Sequence, residues 1–466
     1  MDRPTYNFLC ARSTDIFRDA TLSKTSGLTL NQWVLGSSPR GCTNPGFFSR
    51  EPGFSNSGNN LSFAGLKSVV AEPLNLFLSS DQLINRFFDG LHSGGGKSHI
   101  SGGQTAASAA LESLDITGYA SNRSEVYPMS RRGATVLSPY IRHNLLTLND
   151  VWAAVNDAPY KDREKFRDEL LWQEYARHLY ARVGTRLFEN LRFEQHHDDI
   201  GDGWNREMFC IDQVVGELES DGWLVNQTRM WLASHWTVRN GRGWIHGQER
   251  MYRHLLDGSR AANLLGWQWT VGSAGKPYGF ARWQVEKRAP GVCQKCPLKK
   301  ACPIENFPDE VALPQLPRLE LLDGDSDLEG TSGPASAIRV SRPAEVLLTI
   351  DSLGDSDPAL VANPDLPAVF VFNRDALAKL QLSAKRIHFY LETLQDLATR
   401  REVRVFLGNP YEYARENPVA VTFAPVPSFR KFQDLAEIHP YPWLHKPHDR
   451  GVQSFSAWRN NLRSSQ

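Results

Sequence analysis

The sequence predicts a multidomain chain of α and α/β class, a long helical region followed by a small parallel, Rossmann-like α/β domain. Three observations predict it. Apolar residues recur at helical spacing through much of residues 74–310. Residues 311–342 then break the pattern, first Pro-rich, then acidic (Asp323, Asp325, Asp327, Glu329), then Gly/Ser/Pro-rich. So few apolar side chains there offer little to offset ordering entropy. Beyond them, short β-rich runs at 346–350, 368–372 and 403–407 surround a helix pattern at 374–400. Strands alternating with a helix indicate a parallel sheet. With 466 residues and 41% of them hydrophobic, the chain can build two or three cores.

Taken in order, residues 1–70 are rich in Ser, Gly, Asn and Thr and read as a flexible extension or a plastid-type transit peptide. Asp2, Asp15 and Asp19 weigh against the transit peptide, because such segments avoid acids. The expected location is cytoplasmic for a bacterial chain, or plastid if 1–70 is a transit peptide. No run of about 18 apolar residues occurs, so no membrane partner is expected. An amphipathic helix fits 74–89, a Gly/Ser loop 92–103, and an Ala-rich helix 105–114. Thr147 or Asn149 is placed to cap a helix over 149–156. A long helix fits 162–183, where Trp172, Tyr175, Leu179 and Tyr180 share helical spacing. Further helices fit 211–220, 225–238, 247–256 and 261–270. The domain limits are therefore 1–70, 71–310, 311–342 and 343–466.

Lys+Arg and Asp+Glu both number 52, which excludes a uniformly basic nucleic-acid coat but not a basic face. Charge is in fact segregated. Residues 229–300 hold thirteen Lys/Arg against Glu249, Asp257 and Glu286, a block suited to a phosphate backbone. The 13 tryptophans point to an aromatic-lined interior or site.

Of the six cysteines, Cys10 and Cys42 lie in the extension and Cys210 stands alone. Cys293-x2-Cys296-x5-Cys302-Pro303 is compact and thiol-only. Secreted disulfide scaffolds are shorter and denser in Cys, so close thiols in a long chain read better as metal ligands. Spacing alone leaves an iron–sulfur cluster, zinc and unmetallated thiols open. Gly94-Gly95-Gly96-Lys97-Ser98 is a decoy phosphate loop, with Leu91 where the first Gly belongs and no strand ahead of it. The run Glu194-Gln195-His196-His197-Asp198-Asp199 lacks a helical His pair and reads as an exposed loop.

Two blocks are recognisable. Gly222-Trp223-Leu-Val-Asn226-Gln227-Thr-Arg229-Met230 precedes Leu256-Asp257-Gly258-Ser-Arg-Ala-Ala-Asn263-Leu-Leu-Gly266-Trp267-Gln268-Trp269. Together they resemble the flavin-binding core of the DNA photolyase/cryptochrome family. Upstream, Ala134-Thr135-Val-Leu137-Ser138-Pro139-Tyr140 resembles that family's FAD phosphate loop, and Glu169-Leu-Leu-Trp172-Gln-Glu174-Tyr175 its lesion-contacting helix. The resemblance implies an all-helical photolyase-type FAD-binding domain. It makes Tyr119, Thr135, Leu137, Ser138, Asn226, Arg229, Asp257 and Asn263 the FAD contacts. Asn263 would stand beside the central flavin ring, and Asp257 and Arg229 would form a buried ion pair near it. Glu169, Trp172, Asn226 and Met230 would hold a flipped-out lesion, and Met230 favours the cyclobutane class. Trp267 and Trp244 match the inner members of the electron-transfer chain. The outer Trp has no equivalent near 193–195, and Gln227 replaces an Arg that contacts DNA.

The resemblance extends to the metal and the domain order. Fe–S photolyases take one cluster ligand upstream and three from a C-terminal group, which implies a 4Fe–4S cluster on Cys210, Cys293, Cys296 and Cys302. In relatives the α/β domain comes first, so its position here implies circular permutation. The usual Arg-Asp-Leu-Arg signature has become Asp351-Ser-Leu-Gly354, which leaves any antenna chromophore unidentified. The implied activity is light-driven electron transfer from reduced FAD to pyrimidine dimers in UV-damaged DNA, by a monomer. The alternatives are a cryptochrome-like light sensor without repair, and a flavin and Fe–S scaffold that docks a protein partner.

Overall fold

A computed structural model describes residues 71–197 and 203–463, all within one compact unit, Lys67–Gln466. The predicted extension at 1–70, with Cys10 and Cys42, lies outside the described residues, as do Asp198 and Asp199.

The α/β part is built on a six-stranded sheet. Its strands are β1 (Ala71–Leu74), β2 (Glu345–Leu348), β3 (Ala368–Asn373), β4 (Val403–Gly408), β5 (Val419–Thr422) and β6 (Ala436–His439), in the order β1-β4-β3-β2-β5-β6. Every pairing is parallel except β1 with β4 at one edge. β1 differs from the helix expected to begin at 74. Pro73 lacks a ladder donor and suits an edge strand, and the helix starts only at Ser80, where Ser79 and Gln82 form a capping box. The side-chain alternation of β3 splits two cores. Val369 and Val371 face Tyr413, Val421 and Ile438, whereas Phe370 and Phe372 face the helical region.

The pattern at 374–400 resolves into two helices, Arg374–Leu380 and Ala384–Ala398, because Gln381 takes a left-handed conformation (φ 48°) that ends the first. The second lies between sheet and helical region and is buried along most of its length. Even Arg386 is fully buried there, donating to Tyr252 O, Gly258 O and the Tyr390 hydroxyl.

The helical region centres on the 24-residue helix Tyr160–Val183. It packs on Arg260–Val271, which in turn contacts Asn226–Ala233 and Trp244–His254. Thr147, not Asn149, caps Leu148–Ala154 through a capping box with Asp150. Gly222 ends Phe209–Asp221 at φ +70°, where a Cβ would stand 2.6 Å from His254 O, so both conformation and space require glycine. The helix expected over 225–238 runs as α-helix to Ala233 and as π-helix over Ser234–Arg239. Residues 311–342 lie along the helical region, with Leu322 buried and Asp325 paired to Arg182 at 3.2 Å.

The C-terminal stretch closes on the long helix. Glu174 accepts from His445 N, Tyr175 donates to Val452 O, and Trp458 Nε1 donates to His178 Nδ1. None of the described helices is long and apolar enough to cross a membrane.

Candidate functional site

Helix Asn226–Ala233 sets Asn226, Arg229 and Met230 at i, i+3 and i+4, hence on one face. Asn226 is exposed, and Arg229 and Met230 are half-buried. Arg229 reaches the turn before the next flavin-motif helix and grips Asp257 with two parallel bonds, Nη1–Oδ1 3.1 Å and Nη2–Oδ2 2.6 Å. Its Nε donates to Leu224 O at 3.0 Å. Asp257 also accepts from Ser138 Oγ at 2.5 Å, and Ser138 accepts from Trp223 Nε1 at 2.9 Å. Ser138 opens the short helix Ser138–Arg142, so the chain Trp223–Ser138–Asp257–Arg229 ties the Thr135–Ser138 loop to the ion pair. Leu137 is buried and Thr135 half-buried.

Ser259 caps helix Arg260–Val271, which carries Asn263 and, one turn later, Trp267. Asn263 Nδ2 donates to the backbone oxygen and Oε1 of Gln248, at 3.2 and 2.8 Å. Its Oδ1 accepts from no described residue. Gln248, fully buried, was not singled out from the sequence. Its place one turn after Trp244 was the available signal.

On the long helix, Glu169 is one-third exposed and ion-paired to Lys165 at 2.9 Å and Arg123 at 3.4 Å. It lies near Tyr119, whose hydroxyl pKa is raised, first by burial and then by this carboxylate. Trp172 stacks flat on Phe455 of the C-terminal helix Phe455–Arg463, with ring centroids 4.1 Å apart and planes 10° off parallel.

Trp267 and Trp244 are both buried; Trp244 donates to Asn190 Oδ1, whereas Trp267 Nε1 has no partner among the described residues. Two unpredicted tryptophans adjoin them. Trp236 and Trp267 both press on Gly247, and Trp204 lies 5.1 Å from Trp236.

Cys210 near the start of helix Phe209–Asp221, and Cys293, Cys296 and Cys302 on the segment after Val292, line one small cavity with Met208, Arg282, Val292, Lys299, Pro303 and Ile304. Burial, reinforced by the other three thiols, pushes Cys210 up to about 12. Burial pushes Cys293 to about 11. Among the described residues no three Cys, His, Asp or Glu lie close enough to hold a single metal ion.

Comparison with known proteins agrees on the centre of this region. Residues 166–284 match the family profile described as the FAD binding domain of DNA photolyase. A deoxyribodipyrimidine photo-lyase of Vibrio cholerae is 27% identical over 168 residues, 32% of this chain and 35% of the relative. One from Alkalihalophilus pseudofirmus is 29% identical over 177 residues, 35% and 36% of the two chains. A cryptochrome DASH of Gloeobacter violaceus is 29% identical over 130 residues, 26% of each. A solved bacterial class III photolyase from Agrobacterium tumefaciens is 25% identical, covering 40% of this chain and 42% of its own, with a TM-score of 0.32. The chain thus spans about a third of the length of the curated relatives it matches. Glu169, Trp172, Cys210, Asn226, Arg229, Met230, Trp244, Asp257, Asn263 and Trp267 fall inside the matched segment, whereas Tyr119, Thr135, Leu137, Ser138, Cys293, Cys296 and Cys302 fall outside it. Residues 166–284 thus carry a photolyase-type FAD-binding domain.

Proposed function

We propose that this protein is an FAD-dependent, light-driven DNA repair enzyme acting on pyrimidine dimers, with the cyclobutane class favoured by Met230. The observation that carries the reading is the convergence of the Arg229–Asp257–Ser138 chain with an Asn263 amide whose oxygen is left free. FAD, when bound and reduced, supplies the photoexcited electron donor.

The chain's own residues do the positioning. Gln248 holds the Asn263 amide by its nitrogen, so that Oδ1 is presented as an acceptor for a ring N–H. Arg229 and Asp257 neutralise each other, which leaves the site polar without fixing a net charge. The Glu169 carboxylate, held between Lys165 and Arg123, offers acceptors to the N–H edge of an extruded base. Cys210, Cys293, Cys296 and Cys302 would hold a 4Fe–4S cluster, which supplies a one-electron couple and ties the end of the domain to its core. Arg282 and Lys299 on the same cavity offset thiolate charge.

The test is repair by anaerobically reduced, FAD-loaded protein of DNA carrying defined cyclobutane or (6-4) lesions, with dark controls. Light-dependent loss of the cyclobutane lesion, abolished in Glu169→Ala, is expected. Lesion binding without repair by flavin-replete protein would sink the reading. For the cluster, pure protein should contain iron and acid-labile sulfide, and Cys293→Ala should lose both; full iron content in that variant would refute the assignment. A second reading, a light sensor without repair, is favoured by one observation: Phe455 covers a face of Trp172 that a base would need.

A further inference from the structure

The basic block at 229–300 and the residues just after it carry large aromatic side chains that the flavin and cysteine sites do not use. Trp283 and Phe307 are about half exposed (53% and 51%), with ring centroids 6.2 Å apart. Trp269, 48% exposed, lies 5.9 Å from Tyr278. The two pairs are continuous. Gly279 follows Tyr278, and a Cβ on it would stand 3.6 Å from the Phe307 ring. The band thus runs from the flavin helix through Tyr278 and Phe307 to Trp283, next to the cysteine segment.

Cations flank it. Lys287 is one turn from Trp283 on helix Arg282–Arg288 and shares its face. Arg282 donates to Lys299 O at 3.0 Å, which brings Lys299 and Lys300 to the start of that helix. Lys287, Lys295, Lys299 and Lys300 are exposed, and no described carboxylate pairs with them. Of the nearby acids, Glu286 and Glu305 are engaged by Arg282 and Glu310 by Lys276, which leaves exposed Asp309 as the one carboxylate among them without a described cation.

We propose that this band binds single-stranded DNA, its bases stacked on Trp283 and Phe307 and its phosphates on Lys287, Lys299 and Lys300. Aromatic faces spaced along a basic surface suit unpaired bases, because every base has a face to stack, whereas a duplex hides those faces. Unpaired lysines answer the regular negative charge of a strand. The inference rests on the functional reading above only in taking DNA as the polymer.

The experiment is dark titration of fluorescently labelled, undamaged oligothymidylate, and of a duplex of equal length, into the full-length flavin-replete protein at two salt concentrations. Wild-type protein should prefer the single strand and quench its own tryptophan emission on binding. Trp283→Ala and Phe307→Ala should each weaken single-strand binding roughly tenfold. Lys299→Glu with Lys300→Glu should weaken it and flatten its salt dependence. Circular dichroism and flavin content confirm that the variants are folded. Unchanged affinity in both aromatic variants, or equal preference for duplex, overturns the proposal. Repair is scored separately on the same preparations. Failed repair with single-strand binding intact refutes only the repair reading, and intact repair with unchanged binding in Trp283→Ala refutes only the band.

Discussion

Asp257→Asn isolates the charge logic of the flavin site. The carboxylate is almost buried, its side chain 6% exposed, and receives two guanidinium bonds and the Ser138 hydroxyl. Asparagine keeps the shape but turns an NH2 toward the guanidinium, so at least one Arg229 bond becomes a donor facing a donor. Removing one partner of a buried pair costs about 3–5 kcal/mol, chiefly because the other charge is left uncompensated. The Arg229 side chain is one-quarter exposed, so water recovers part of this, and about 2–3 kcal/mol is expected. The assay is urea denaturation of apo and FAD-loaded protein, read as midpoint and slope. The variant should unfold at lower urea and retain less FAD. The double variant Arg229→Met, Asp257→Leu completes the argument. Without an unpaired charge it should lose less stability than Asp257→Asn alone, although it too loses FAD. A double variant as unstable as the single one, or an Asp257→Asn midpoint equal to wild type, would refute the reasoning.

Other outcomes follow from packing and from pH. Gly247→Ala reverses the usual sign of a helical Gly→Ala change, normally stabilising by about 1 kcal/mol. The new Cβ would lie 2.4 Å from Trp267 Cη2 and 2.8 Å from Trp236 Cδ1, and both rings are buried and unable to yield. A loss of about 1–3 kcal/mol in thermal or urea unfolding is expected, with slower light-driven flavin reduction as Trp267 shifts; a stabilised variant would contradict it. Glu174, buried and with Arg177 Nη1 3.7 Å from its Oε2, still has its carboxyl pKa raised by desolvation from 4.5 to about 7. The folded state therefore keeps a proton that the unfolded chain releases. This contribution is full below pH 4.5 and is lost as pH rises through 7, about 3 kcal/mol at 1.4 kcal/mol per unit. Glu174→Gln removes that slope, so its stability relative to wild type should improve from pH 5 to pH 8. A pH-independent difference would show that Glu174 is ionised throughout.

What the sequence revealed was what local chemistry controls. Thr147 announces a helix start through its side-chain oxygen, and helices Tyr160–Val183 and Arg260–Val271 follow directly from apolar spacing. The Arg229–Asp257 pair was legible only because a motif of fixed spacing surrounds both residues. Contacts made by distant segments were not legible. β1 finds its partner β4 more than three hundred residues later and has only four residues of its own to signal it. Phe455 and Trp458 sit on a short amphipathic helix whose target, the Trp172–His178 face, is visible only after folding. Gly247 is an ordinary helical glycine in sequence; the two tryptophans that require it converge from different helices. β5 and β6 are four-residue strands between turns, too short to show a period.

The order of strands carries one last consequence. In open parallel sheets, ligands favour the crevice beyond the strand ends where the winding reverses. Here that point lies between β2 and β5. The chain fills the β2 side of it with its own helical region. Arg142 pairs with Asp351 at 2.6 Å, Asn144 Nδ2 donates to Asp351 O, His143 bonds Ile350 O, and Leu353 N donates to His143 O. A Cβ on Gly354 would stand 2.3 Å from Asn144 O, so the fit leaves no spare room. A ligand in that crevice would have to displace the Arg142–Asp351 ion pair, and the missing side chain of Gly354 is what makes the close approach feasible. Arg142→Ala tests this. It strands a nearly buried Asp351 carboxylate and should cost about 3 kcal/mol, loosening sheet from helices and exposing residues 311–342 to proteolysis. Unaltered stability and an unaltered digestion pattern would mean that the two parts are held together elsewhere, with the buried helix Ala384–Ala398 the first place to look.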